Sequence, residues 1–166
     1  MGEQGERDEE AGADRAPVPG TGVPASLIAA YRAAWYRIAL PDGPETVRIG
    51  ASAPRTQAWV RSRGAAGAVV VTACNPRGQR QDDAANAAAM ARLRAHVFAQ
   101  GWTFLEGAGG DDAGAWTPEP SLAVALGSPA AAVVLGRAFD QNAVVWIPAE
   151  GAAALLIIRE ESAGGP

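Results

Sequence analysis

Along the chain the apolar positions switch between a period of two and a period of three to four, and that switching sets the expected order of strands and helices. Ser26 stands where it can cap a short helix over residues 27–34, and Trp35-Tyr36-Arg37-Ile38-Ala39-Leu40 then reads as a strand. Pro41-Asp42-Gly43-Pro44 predicts a turn, and residues 45–50, with Val47 and Ile49 alternating against Arg48, return as the second arm of a hairpin. Pro54 suits the first turn of a helix that stops at Gly64. Residues 68–74 form a continuous apolar, β-branched run, the pattern of a strand covered on both faces, and Asn75-Pro76 ends it. Asp82 or Asp83 can cap the longest helix, which closes on Gly101. Its stripe is Met90, Leu93 and Val97, widened by Ala89 and Phe98.

Residues 102–106 predict a strand, residues 107–120 a long loop rich in glycine and acids, and residues 121–126 another strand. Ser128-Pro129 opens a helix with a stripe at Ala131, Val134, Leu135, Ala138 and Phe139. Gly136 in mid-helix costs about 1 kcal/mol relative to Ala, which close approach to a sheet would explain. Residues 142–147 and 154–158 predict the last two strands. The order from residue 68 is therefore β-α-β-β-α-β-β. It implies an α+β fold, a two-layer sandwich of six or seven mostly antiparallel strands. Its core would be ferredoxin-like (β-α-β-β-α-β) with helices on one face, preceded by an N-terminal helix and a β-hairpin.

Composition narrows the functional classes. The 166 residues include 39 Ala and 14 Arg but no Lys, as expected of a GC-rich, bacterial genome. One Cys excludes a disulfide scaffold and a cysteine-rich zinc module. Residues 1–24 hold six acids and two Arg, the whole of the net charge of −4. They are too poor in large apolar residues to offset their ordering entropy and are expected to be a disordered acidic tail. Residues 25–159 form the expected single domain, and 160–166 a second disordered tail. The start lacks the pattern of a signal peptide, and no apolar run approaches the roughly 18 residues of a membrane span. A cytoplasmic protein without a membrane partner is expected. Residues 48–94 carry eight Arg against Asp82 and Asp83, while residues 95–166 carry eight acids against Arg137 and Arg159. The basic half could grip nucleic acid only if its arginines share a face, so such a partner is disfavoured.

Most catalytic patterns fail on spacing. Cys74 ends its strand at the start of the long helix, whereas His96 lies far along it, roughly 20 Å away at 1.5 Å per residue. A thiol–imidazole pair is thereby excluded. Gly107-Ala108-Gly109-Gly110 does not open a helix and is followed by Asp111 and Asp112, which would repel a pyrophosphate. Glu106, Asp111, Asp112 and Glu119 match no calcium-loop spacing, and no cofactor or metal is expected. Trp116, alone in its loop, either pins the loop or stacks on a ligand. The surviving constellation is Asn75 with Asn86, one helical turn before Met90. It reads either as a clasp tying the 75–82 loop to its helix or as a pocket for a small ligand or anion, with Arg77 or Arg80 supplying charge. Gln141-Asn142 resembles a helix C-cap.

Several short motifs occur together: Thr72-Ala73-Cys74-Asn75-Pro76, Asn86, Glu106-Gly107-Ala108-Gly109 with Asp111, Trp116-x-Pro118-Glu119-Pro120-Ser121, and Gly136-x-x-Phe139-x-Gln141-Asn142-Ala143. In this order, over about residues 27–158, they resemble the bacterial family called domain of unknown function 3293. The resemblance implies a fold more than an activity, and it marks Asn75, Asn86, Glu106, Glu119 and Gln141 as motif positions. The expected function is a small-ligand or protein binding module, with candidate binding residues Asn75, Arg77, Asn86, Glu106, Asp111, Glu119 and Gln141. The alternative is an enzyme acting on a small polar or nucleotide-like substrate. It would require Glu106 or Glu119 beside the Asn75/Asn86 pair in a concave pocket.

Overall fold

The computed structural model describes residues 22–159; of the tails expected at residues 1–24 and 160–166, all but residues 22–24 lie outside them. Val23 is buried, and the Pro24 carbonyl accepts from the Leu27 and Ile28 amides, so packing starts ahead of the boundary expected at residue 25. The elements follow in the order α1 (Ala25–Ala33), β1 (Trp35–Leu40), β2 (Gly43–Val47), α2 (Pro54–Ser62), β3 (Gly67–Val71), α3 (Asp83–Ala99), β4 (Phe104–Gly110), β5 (Glu119–Leu126), α4 (Pro129–Ala138), β6 (Ala143–Pro148) and β7 (Ala154–Ile157). The fold is α+β. Seven strands form one curled sheet in the order β2-β1-β4-β5-β3-β6-β7, with every neighbouring pair antiparallel.

The central strand β3 is buried at all five positions, as its unbroken apolar run requires. Its alternate side chains enter two cores. Val69 and Val71 pack with Met90, Leu93 and Val97 of α3 and Leu135 of α4. Ala68 and Val70 pack with Trp59 and Val60 of α2, Ile38 of β1 and Ile147 of β6. Helices therefore lie on both faces, not on one as the two-layer reading held. The reason is α2: its buried Thr56, Gln57, Trp59 and Val60 need cover, and the side opposite α3 and α4 is open to them.

Local signals account for most element ends. Asp82 accepts from the Ala85 amide at 2.7 Å and Ser128 from the Ala131 amide at 3.2 Å, the two caps expected. Ser26 does not cap α1; it lies inside the first turn, which the Pro24 carbonyl begins. The hairpin turn shrinks to Pro41-Asp42, and β2 starts two residues early because Gly43 pairs with Leu40. Two apolar stripes differ from expectation: Phe98 is 80% exposed and Val134 64%, while Ala132 and Gly136 face the core. A side chain at Gly136 would run into Ile158 and Val144, which is the close approach inferred from its mid-helix position.

The largest departure is at residues 107–120. Gly107 to Gly110 extend β4 rather than opening a loop, and Glu119 and Pro120 begin β5. Glycine clears the surface for β1: a Cβ at Gly110 would collide with the Trp35 ring and one at Gly107 with the Arg37 carbonyl, while the Tyr36 ring lies in ordinary contact over Gly109. Strand pairing thus puts Tyr36, Gly109 and Glu119 in one row across the sheet.

Candidate functional site

Beyond Val71 the backbone donors turn from strand partners to side chains, which is why β3 ends before the Cys74 expected. The Ala73 amide meets the Met90 sulfur at 3.4 Å, the Cys74 amide donates to Thr72 Oγ1 at 3.0 Å, and the Asn75 amide donates to Asn86 Oδ1 at 2.9 Å. Asn75 adopts the left-handed region (φ 46°, ψ 59°), and Arg77 after it also has positive φ. Such conformations cost of order 1 kcal/mol or more and persist only where the surroundings hold them.

What holds them is a ring of amides. Asn86 Nδ2 donates to Asn75 Oδ1 at 3.1 Å, the Gln81 amide donates to the same oxygen at 3.0 Å, and Gln81 Nε2 donates to Asn86 Oδ1 at 2.9 Å. The two asparagines therefore meet and form the clasp between the 75–82 loop and α3. Because a backbone N–H must donate, Asn75 Oδ1 faces Gln81, and the Asn75 amino group is left for Glu119.

Glu119 is half-buried on the face shared by Val70, Ala123 and Val145. Burial raises its pKa above the usual carboxylate range, and the Asn75 side chain, by stabilising the anion, opposes that rise. It faces a cavity of about 120 Å³ roofed by Tyr31 of α1 and by Trp116, with Tyr36, Ser121 and Gln141 in its walls. Glu119 is the one charged residue among the described lining residues. Tyr36 OH donates to the Tyr31 carbonyl at 2.8 Å and ties α1 to the sheet. Burial moves both phenols above their ordinary pKa, with Glu119 adding to the effect. Ser121 Oγ lies buried in the wall without a hydrogen-bond partner among the described residues. Asn142 Oδ1, which does not line the cavity, is also buried without a partner among the described residues, and its Nδ2 reaches Tyr31 OH at 3.5 Å.

The remaining candidates divide clearly. Gln141 Nε2 donates to the Phe139 and Cys74 carbonyls, so it ties the end of α4 to the segment before Asn75 as well as lining the cavity. Asp111 accepts from the Ala115 and Trp116 amides and so sets the loop that carries Trp116. Asp112 pairs bidentately with Arg48. Glu106 sits in an exposed bidentate pair with Arg94, away from the cavity. Arg77 turns to Asp140 at 3.7 Å and Arg80 is exposed, so neither lines the cavity as the anion-pocket reading required. Cys74 is buried in the core, while His96 packs edge-on against Trp102 and Phe139. No cluster of metal-ligating residues occurs among the described residues, and no helix among them is long and apolar enough to cross a membrane. The arginines of the basic half divide between the two sides of the sheet. Arg55, Arg61 and Arg63 lie on or beside α2, and Arg92 and Arg94 on α3.

Residues 71–144 match the family described as "Protein of unknown function (DUF3293)". The segment is a DUF3293 domain. The match is narrower than the resemblance over 27–158, yet it contains all seven candidate binding residues. The DUF3293 segment supplies Glu119, Ser121, Trp116 and the Asn75/Asn86 clasp, whereas Tyr31 and Tyr36 come from elements before it. No curated protein and no solved structure matches the chain.

Tyr31, Tyr36 and Ser121 escaped the sequence reading. An aromatic near a helix end or in a strand has the pattern of a core residue. Only the period-two spacing of Glu119 and Ser121 against Leu122 and Val124 pointed to a polar inward row.

Proposed function

We propose that the protein is a binding module that takes a small molecule in the cavity beneath α1 and Trp116, anchored by Glu119. One observation carries this reading: a half-buried carboxylate faces a cavity whose described lining holds no cation, and a buried Ser121 hydroxyl beside it has no partner among the described residues. Burying polar groups without partners is costly, and such groups concentrate where a ligand completes them. A thermal-shift screen of small metabolites tests it. Compounds that stabilise the wild type and fail to stabilise Ser121→Phe, which fills the cavity, support the reading; a screen in which no compound separates the two removes it.

A second reading, general acid/base catalysis by Glu119, is favoured by the raised pKa and by the clasp that aims Asn75 at it. Asn75→Ala should then move the pH dependence of turnover, whereas a purely binding role would leave a change in affinity alone. The strand order β4-β5-β3-β6 with α3 and α4 on one side supports a ferredoxin-like unit within the larger sheet. A cytoplasmic setting belongs to the same proposal and is supported by Cys74, a free buried thiol.

A further inference from the structure

Resting on that binding reading, we infer that the recognised end of the ligand is a protonated amine, seated against Glu119 and Ser121 and flanked by the rings of Tyr31, Tyr36 and Trp116. Charge is the first reason. Glu119 is the one ionisable acid or base of the described lining apart from the tyrosines, and the arginines nearest in sequence to the clasp point elsewhere, Arg77 to Asp140. An anion entering this cavity would meet a like charge with no compensating cation. Hydrogen bonding is the second. Ser121 Oγ is buried, lines the cavity and offers an acceptor position that no other described residue uses. An ammonium carries three donors and no acceptor, so it can use the carboxylate and the hydroxyl together. The third reason is the walls: ring faces of Tyr and Trp attract a cation.

Among the described residues, Tyr31 on α1 and Tyr36 on β1 line the cavity with Glu119, Asn75 bonds it from the segment after β3, and Cys74, packed in the opposite core, feels its charge. None of these is a cation at neutral pH, so an incoming ammonium would be the first positive charge beside the carboxylate. Binding then favours the ionised form, and affinity rises with pH as Glu119 loses its proton.

Three four-carbon probes with different head groups test this: butylammonium, 1-butanol and butyrate, titrated calorimetrically into the full chain above neutral pH. Butylammonium is expected to bind at least tenfold more tightly than the alcohol, with butyrate weakest. Glu119→Gln should weaken butylammonium about tenfold or more, and Ser121→Ala by a smaller factor, with both variants melting as cooperatively as the wild type. The alcohol or butyrate binding as well as the amine overturns the inference, and so does unchanged amine affinity in Glu119→Gln. Failure of butylammonium to bind, alongside an uncharged or anionic hit in the metabolite screen, overturns it as well and leaves the binding reading standing.

Discussion

Two glutamates stand on one sheet face, one on the edge strand β2 and one on the central strand β5, and they have opposite surroundings. Glu45, on β2, is taken up by the start of α2. Its carboxylate accepts from the Arg55 amide at 3.0 Å, the Thr56 amide at 2.8 Å and the Thr56 hydroxyl at 2.7 Å. Glu119, on β5, has no helix start before it; it faces a cavity and one asparagine amide. The tryptophans repeat the contrast. Trp59 is packed under α2 at 7% exposure, while Trp116 hangs over the cavity at 43%. The region around Glu45 uses its polar and aromatic groups to hold the fold, and the region around Glu119 holds equivalent groups ready with their bonding capacity unspent. Sites that bind must leave capacity unused in the free state, and the region around Glu119 gives up packing for it.

Substitutions should therefore divide along this axis. Trp59→Ala is expected to cost about 3–5 kcal/mol in denaturant unfolding, as for other buried aromatics. A value below that of Trp116→Ala would dissolve the contrast. On the opposite face, where α4 lies closest to the sheet, Gly136→Leu should cost about 1–3 kcal/mol by forcing Ile158 and Val144 apart, and a neutral result would deny that contact. Glu45→Ala should cost about 1–2 kcal/mol, because three donors at the start of α2 lose their acceptor. Trp116→Ala is expected to cost less than about 1 kcal/mol in stability while lowering ligand affinity.

The smallest effect sharpens the comparison most. Burial raises the pKa of Glu119 in the folded chain above its unfolded value, so the folded state holds this proton more tightly. The stability that follows is full below the ordinary carboxylate range and is lost as pH rises through the raised value. Glu119→Gln carries no such proton. Thermal melts across that window should show the wild type losing stability relative to Glu119→Gln as pH increases, with Tyr31, Tyr36 and Cys74 as the other titrating neighbours. Parallel melts would mean that Glu119 is well solvated rather than half-buried.

The clasp was readable in advance because Asn86 interrupts an apolar stripe and so requires a partner, and Asn75 ends the strand next to it. The sorting of the acids was not. Glu106 and Glu119 lie on paired strands and look equivalent as residues. The difference is that Arg94 of α3 reaches one, whereas α1, which has no buried residue of its own, arches over the other. Nothing local to either glutamate encodes that. Reading residues 107–110 as a loop failed for a related reason: glycine signals freedom of the chain, and here it signals room for the Trp35 ring and the Arg37 carbonyl of another strand.

The sequence by itself determined the order of the elements, the two capped helix starts, the doubly covered strand β3 and the close seat of Gly136, because each follows from periodicity or from hydrogen bonds within a few residues. The tertiary structure alone decided which face each helix covers and which carboxylate stays without a cation among the described residues. Those outcomes depend on pairing between segments far apart in the chain, where a side chain's energy is set by what another element brings to it.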